Sequence, residues 1–202
     1  MTIRILLADD QALVRGALSA LLALEPDIEV VSEVGTGDAV LGAVREHRPD
    51  VALLDVEMPG MDGITAAAQL RDEFPGVRVL IVTTFGRPGF VRRALQAGVA
   101  GFVVKDTPAA ELADAVRRVH AGLRVVDPAL ATDSLFVGES PLTQRETEVL
   151  RAARDGSSVA VIAGRLFLSE GTVRNHLSSA IGKTGAGNRA EAVVIANENG
   201  WL

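Results

Sequence analysis

Four short apolar runs in the first 105 residues each stop on a side chain capable of chemistry. IRILLA ends at Asp9-Asp10, VALL at Asp55, VLIV at Thr83-Thr84 and GFVV at Lys105. An aspartate at the tip of a core strand is partly desolvated, which costs free energy unless something needs it there. Each group also has a plain explanation: an acid pair after a strand is commonly a solvated turn or helix cap, and threonine is an ordinary strand residue. Lys105 stands out because the chain has 18 arginines and only two lysines, Lys105 and Lys183. A lysine after FVV points to a need for a compact point charge.

Together the groups are more specific than apart. Three carboxylates brought close would raise one another's pKa values unless a cation lay among them. Oxygen-only ligation, with neither Cys nor His at these positions, suits Mg²⁺, a hard ion that keeps several waters. A carboxylate beside Mg²⁺, with a lysine opposite and a threonine hydroxyl at hand, is a phosphoryl acceptor. Asp55 would attack phosphorus in line while Mg²⁺ and Lys105 neutralise the phosphoryl oxygens. Pro59-Gly60 then forms a tight turn, and Asp62 can cap the helix that follows.

These groups need a scaffold that gathers strand ends. Strands are expected at 3–8, 28–34, 51–54, 77–82 and 101–104. Between them, 11–23, 37–47, 62–73, 88–97 and 108–120 carry apolar residues at helical spacing. Five β-α units imply an α/β fold, a doubly wound parallel sheet covered by helices on both faces. In the common strand order 2-1-3-4-5, strands one, three, four and five are neighbours, and ligands bind outside their carboxyl ends.

Beyond residue 120 the pattern changes. Residues 121–139 read as a connection with one short helix at 129–135, and 140–202 as a second, small all-helical domain. Thr143 and Glu146 form a T-x-x-E capping box, and Asp155-Gly156 ends the helix it starts. Ser158–Arg165, the turn LFLS and Ser169–Lys183 have the layout of a helix-turn-helix. On its second helix Val173, Leu177, Ala180 and Ile181 share one face, while Gly171, Arg174, Asn175, Ser178 and Gly182 share the other. Arg can pair bidentately with guanine and Asn with adenine. Lys183, Arg189 and the capped start at Ser169 could hold phosphates. From periodicity alone, a solvated face on a small bundle explains the same residues.

Composition narrows the classes. At 202 residues with 48% hydrophobic and 23% charged residues, the chain is globular. The absence of cysteine excludes disulfides, thiolate zinc sites and thiol catalysis. IRILLA is too short for a membrane span and lacks a cleavage site, so no membrane insertion and a cytoplasmic location are expected. The net charge of −6 is uneven: residues 1–125 hold 13 basic and 17 acidic side chains, while residues 140–202 hold 7 basic and 6 acidic. The tail is thus the least acidic part, though not strongly basic.

DD after the first strand, D-x-x-M-P-G-x-D-G after the third, V-T after the fourth and G-F-V-V-K after the fifth resemble bacterial response-regulator receiver domains over residues 2–120. The resemblance implies phosphorylation on Asp55, with Asp10, Asp55 and the Glu57 backbone carbonyl on Mg²⁺ and Asp9 acting through water. Thr83 would reach the phosphoryl group, Lys105 would pair with it, and Phe102 stands where receivers carry an aromatic switch residue. A plain core phenylalanine explains Phe102 equally well. The stretch LTQRETEVL to NRAEAV is similar to the LuxR-type DNA-binding domain, over residues 140–198, and adds Thr172 to the DNA-facing set. Joined to a receiver it gives the NarL/FixJ class, with TTFGRPGF, GTVRNH and the terminal GWL nearest the DesR-like branch.

The class implies a sensor histidine kinase as phosphodonor, a homodimer on phosphorylation and double-stranded promoter DNA as target. It implies a transcription factor and not an enzyme. Against the resemblance, Val159-Ala160-Val161 replaces a stretch commonly Asn-Lys-Glu, and Gly171, Gly182 and Gly187 stand where basic residues are frequent. Fewer phosphate contacts mean weaker salt-sensitive binding by a monomer. Two rivals remain at this level. A dehalogenase-like phosphatase also uses a strand-end Asp, Mg²⁺, Thr and Lys, but wants D-x-D where this chain has Asp55 and Glu57. A flavin-binding electron carrier would need aromatics and a hydroxyl-rich phosphate loop.

Overall fold

A computed structural model describes residues 2–84, 86, 88–126 and 140–202. The short helix expected at 129–135 lies outside the described residues. The chain divides into two compact units, one holding most of residues 1–132 and the other most of residues 133–202.

In the first unit, strands β1 (Ile3–Ala8), β2 (Ile28–Val34), β3 (Val51–Leu54), β4 (Arg78–Thr83) and β5 (Gly101–Val104) alternate with helices α1 (Ala12–Leu22), α2 (Val40–His47), α3 (Gly63–Glu73), α4 (Pro88–Gln96) and α5 (Ala109–His120). All pairings are parallel, and with a sixth strand, β6 (Val125–Val126), the order is β2-β1-β3-β4-β5-β6. The expected doubly wound sheet is present with one strand more than expected. That strand, β6, pairs with Gly101 and Phe102. Two residues are too short to show an alternating pattern, so the pair reads as loop in the sequence.

VALL is buried at all four positions, as a strand covered on both faces must be. Leu7, Leu53, Leu80 and Val82 share one cluster with Leu18 and Leu22 of α1 and Leu112, Val116 and Val119 of α5. Leu6, Ala52, Leu54 and Ile81 alternate with them and are buried too. Each fully buried leucine or isoleucine contributes about 1.5–3 kcal/mol, so the strand ends rest on a rigid base. The helix expected at 37–47 divides into a 3-10 turn at Gly37–Ala39 and α2 proper. A Cβ on Gly37 would lie 1.8 Å from the Met61 carbonyl oxygen, and the Gly37 N–H donates to the Pro59 carbonyl at 3.3 Å. This close approach ties the start of α2 to the loop after β3 and tightens its first turn.

The second unit contains α6 (Gln144–Ala152), α7 (Val159–Leu166), α8 (Glu170–Thr184) and α9 (Arg189–Glu198). The capping box at Thr143 and Glu146 is formed, and Ser158, Ser169 and Asn188 cap the other three helices through their side-chain oxygens. Gly156, at φ 77°, closes the turn after α6. Val149, Leu150, Ile162, Val173, Leu177, Ala180 and Ala192 form the core, with Ile181 packed against it.

Candidate functional site

At the carboxyl edge of the sheet, the Asp9 N–H continues the β1 ladder to the Val34 carbonyl at 3.1 Å. The Asp55 N–H donates to the Ala8 carbonyl at 2.8 Å, and the Lys105 N–H to the Thr83 carbonyl at 2.7 Å. Strands β1, β3 and β5, the last set apart from β3 by β4, therefore deliver Asp9, Asp55 and Lys105 with their backbones fixed by the sheet. Asp9 and Asp55 are buried, and Asp10 is exposed. Carboxylate oxygens of Asp9, Asp10 and Asp55 lie within 4.8 Å of one another.

Lys105 Nζ lies 2.7 Å from Asp55 Oδ2 and 2.8 Å from Asp9 Oδ2. Asp55 Oδ1 accepts from the Val56 N–H at 2.7 Å, and Asp9 Oδ1 from the Gln11 N–H at 2.9 Å. Burial pushes the Asp55 carboxyl above its ordinary range, and the hydrogen bond from Lys105 only partly opposes this. For Lys105, burial disfavours the charge, yet the bonds to Asp55 and Asp9 outweigh it and raise the ammonium's pKa. One ammonium faces three carboxylates, so the cluster keeps an excess of negative charge. A hard divalent cation fits this donor set of oxygens alone.

The loop after β3 follows from its residues. Gly60 sits at φ 77°, and any Cβ there would collide with the Asp38 carboxylate. Asp62 Oδ1 accepts from the Thr65 N–H at 2.7 Å and caps α3, while Oδ2 meets Arg93 Nη2 at 3.2 Å. Gly63 brings the helix start so close that a Cβ would lie 1.9 Å from the Asp55 carbonyl oxygen. The Glu57 side chain is exposed. Thr83 is buried at the end of β4 opposite Val104, and Phe102 is fully buried on β5. His47, His120 and His176 lie outside the acidic cluster.

On α8, Gly171, Arg174, Asn175, Ser178 and Gly182 are exposed along one face, opposite buried Val173, Leu177 and Ala180. Arg174 pairs with Glu170 of its own helix at 2.5 Å, and the Thr172 hydroxyl meets that of Ser169 at 2.8 Å. Lys183 and Arg189, expected to hold phosphates, each have a partner within the unit. Lys183 Nζ bonds Glu146 Oε2 at 2.7 Å, and Arg189 Nη1 bonds the Ser157 carbonyl at 2.6 Å. Val161 is 45% exposed, so its place in α7 is not set by core packing.

Sequence reasoning missed the second role of Glu146. Besides capping α6, this buried carboxylate accepts from Ser179 Oγ at 2.7 Å and from Lys183. Burial opposes its charge, but Lys183, Ser179 and the Thr143 N–H hold its pKa down at about 2. Lys183, the second of two lysines, was the available signal. Arg15, whose guanidinium bonds the Asp9 carbonyl at 2.5 Å, was also missed, since one arginine among 18 carries no signal. Among the described residues, no helix is long and apolar enough to cross a membrane.

Comparison with known proteins bears on both units. The response regulator receiver domain family matches residues 5–117, and the luxR family of bacterial regulatory proteins matches residues 140–196. The transcriptional regulatory protein DesR of Bacillus subtilis (strain 168) is 44% identical over 200 residues, 99% of each chain. The uncharacterized transcriptional regulatory protein YvfU of the same strain is 43% identical, over 99% of this chain and 100% of its own. Among solved structures, the response regulator ChrA of a heme-sensing two-component system is 34% identical. It aligns with a TM-score of 0.59 over 100% of this chain and 99% of its own.

Proposed function

The chain belongs to the response regulators that join a receiver domain to a LuxR-type DNA-binding domain, and from that premise we propose that Asp55 is its phosphoacceptor. It is a DNA-binding transcriptional regulator of a two-component system, as its relatives are, and not an enzyme. Residues 1–120 serve as receiver, 140–202 bind DNA, and 121–139 join them.

The observation carrying the assignment is the position of Asp55. It is the buried carboxylate that shares Lys105 with Asp9 and lies within reach of Asp10. Asp10, Asp55 and the Glu57 backbone carbonyl would hold Mg²⁺, with Asp9 acting through water; bound there, Mg²⁺ offsets the charge of the incoming phosphoryl oxygens. An Asp55 oxygen forms the new O–P bond as the N–P bond of the sensor kinase's phosphohistidine breaks. The departing imidazole keeps the electron pair and takes up a proton from water. Lys105 then pairs with a phosphoryl oxygen in place of the free carboxylate. The Thr83 hydroxyl moves to bond the phosphoryl group, and Phe102 repacks beside it. This biases a two-state equilibrium toward a dimer that presents two copies of α8 to promoter DNA.

On DNA, Arg174, Asn175, Ser178 and Thr172 approach base edges. Lys183 and Arg189 act mainly by holding α8 and α9 in place, since their cationic groups are engaged within the unit. The protein works in the cytoplasm. Incubation with a small phosphodonor and Mg²⁺, resolved on Phos-tag gels, tests the acceptor. The wild type shifts, whereas Asp55→Ala and EDTA-treated protein do not. Equal shifts for wild type and Asp55→Ala would reject the assignment.

A further inference from the structure

Arg15 stands on α1, close to the acidic cluster without touching a carboxylate in it. Its Nη1 donates to the Asp9 backbone carbonyl at 2.5 Å, and its Nε lies 3.6 Å from a Glu33 carboxylate oxygen at the end of β2. The guanidinium lies over Gly35, where a Cβ would come within 3.4 Å of Nη1. Arg15 also lines, with Asp9, Asp55, Leu18 and Val82, a cavity of about 10 Å³ beside the buried carboxylates.

The Asp9 carbonyl and the Asp10 N–H belong to one planar peptide unit. Holding that carbonyl therefore fixes the plane from which the Asp10 side chain departs. Asp9 needs no such help, because its own carboxylate is anchored by the Gln11 N–H and Lys105. Among the described residues, the Asp10 side chain has no hydrogen-bond or ion-pair partner, and it is exposed. No side-chain partner holds it, so the backbone at Asp10 is what anchors its starting point.

We propose that Arg15 is a positioning residue for the cation site: by clamping the Asp9–Asp10 peptide it aims the Asp10 carboxylate at the divalent ion. The proposal rests on reading Asp10 and Asp55 as cation ligands. It assigns the guanidinium a role in metal affinity and none in phosphoryl transfer itself.

Titration calorimetry of the full-length, unphosphorylated protein with MgCl₂ tests it, alongside phosphorylation rates from phosphoramidate at increasing Mg²⁺. Groups that orient metal ligands typically change affinity about 10–100-fold when removed, and Arg15→Met is expected to weaken Mg²⁺ binding by about 10-fold. At saturating Mg²⁺ its phosphorylation rate returns to that of the wild type, a split that general destabilisation would not produce. Arg15→Lys, which keeps the charge and a donor nitrogen but not the planar fork, recovers part of the affinity. Unchanged Mg²⁺ affinity in Arg15→Met, or a lowered plateau rate with unchanged affinity, overturns the proposal. Should Arg15→Met not fold, Glu33→Gln decides. Releasing the partly exposed ion pair on Arg15 weakens Mg²⁺ binding by about two- to fivefold, and no change overturns the proposal. If instead Asp10→Asn binds Mg²⁺ like the wild type, the cation-site reading itself has failed, a separate outcome.

Discussion

Replacing Lys105 by Met removes the one ammonium between Asp9 and Asp55 while keeping a side chain of similar length. In the wild type the two contacts are 2.8 and 2.7 Å, and the three side chains are 10%, 4% and 3% exposed. Breaking a buried ion pair on one side costs about 3–5 kcal/mol, because a desolvated charge is left alone. Part of that cost is recovered if Asp55 takes up a proton, since burial already pushes its pKa up. At neutral pH about 3 kcal/mol is therefore expected. For a receiver of this size this corresponds to a drop of about 10 °C in its melting transition.

The pH dependence has a definite sign. A carboxyl whose folded pKa is raised contributes stability that is fully present below its unfolded value and lost as pH rises through the folded one. Removing Lys105 raises the folded value further, so the deficit of Lys105→Met shrinks on acidification from pH 7.5 towards 5. Mg²⁺ stabilises the variant more than the wild type, because it then supplies the only positive charge. Differential scanning calorimetry across pH, with and without Mg²⁺, gives all three quantities. A variant within about 1 kcal/mol of the wild type at pH 7.5, with no pH dependence in the difference, would refute the reasoning.

Four further outcomes are expected. Glu146→Ala destabilises the helical unit by about 2–4 kcal/mol, the sum of a lost cap and charged hydrogen bonds, read by urea denaturation through Trp201 fluorescence. With its folded pKa depressed to about 2, Glu146 contributes stability that is present above the ordinary carboxylate value near 4.5 and lost as pH falls towards 2, so the two proteins' curves converge in acid. Gly63→Ala places a methyl against the Asp55 carbonyl and costs about 1–3 kcal/mol by overpacking, with slower phosphorylation in the Phos-tag assay. Arg174→Ala weakens operator binding by about 1–3 kcal/mol in fluorescence anisotropy while random DNA loses less; equal losses would remove Arg174 from base reading.

The strand ends were legible in the sequence because the groups they carry are costly to bury, so Asp9, Asp55 and Lys105 stand out against their apolar runs. The geometry then adds what spacing cannot hold. Asp55 and Lys105 are 50 residues apart in sequence yet 2.7 Å apart in space. β6 was illegible because two valines have no period, and the break before α2 because it arises from Gly37 meeting Met61, a tertiary contact. The internal partners of Lys183 and Arg189, Glu146 and the Ser157 carbonyl, were illegible because they come from distant elements. The helix face at Arg174, Asn175 and Ser178 was legible from periodicity as exposed, and only the family's DNA-binding role turns exposure into function.

Whether Asp55 carries the phosphate is tested most directly by trapping the acyl phosphate chemically. Sodium borohydride reduces an aspartyl phosphate to homoserine and releases phosphate, leaving free carboxylates untouched. After phosphorylation and reduction, peptide mass spectrometry should find homoserine at position 55 and aspartate retained at positions 9 and 10. Homoserine at another position, with residue 55 still aspartate, would contradict the account.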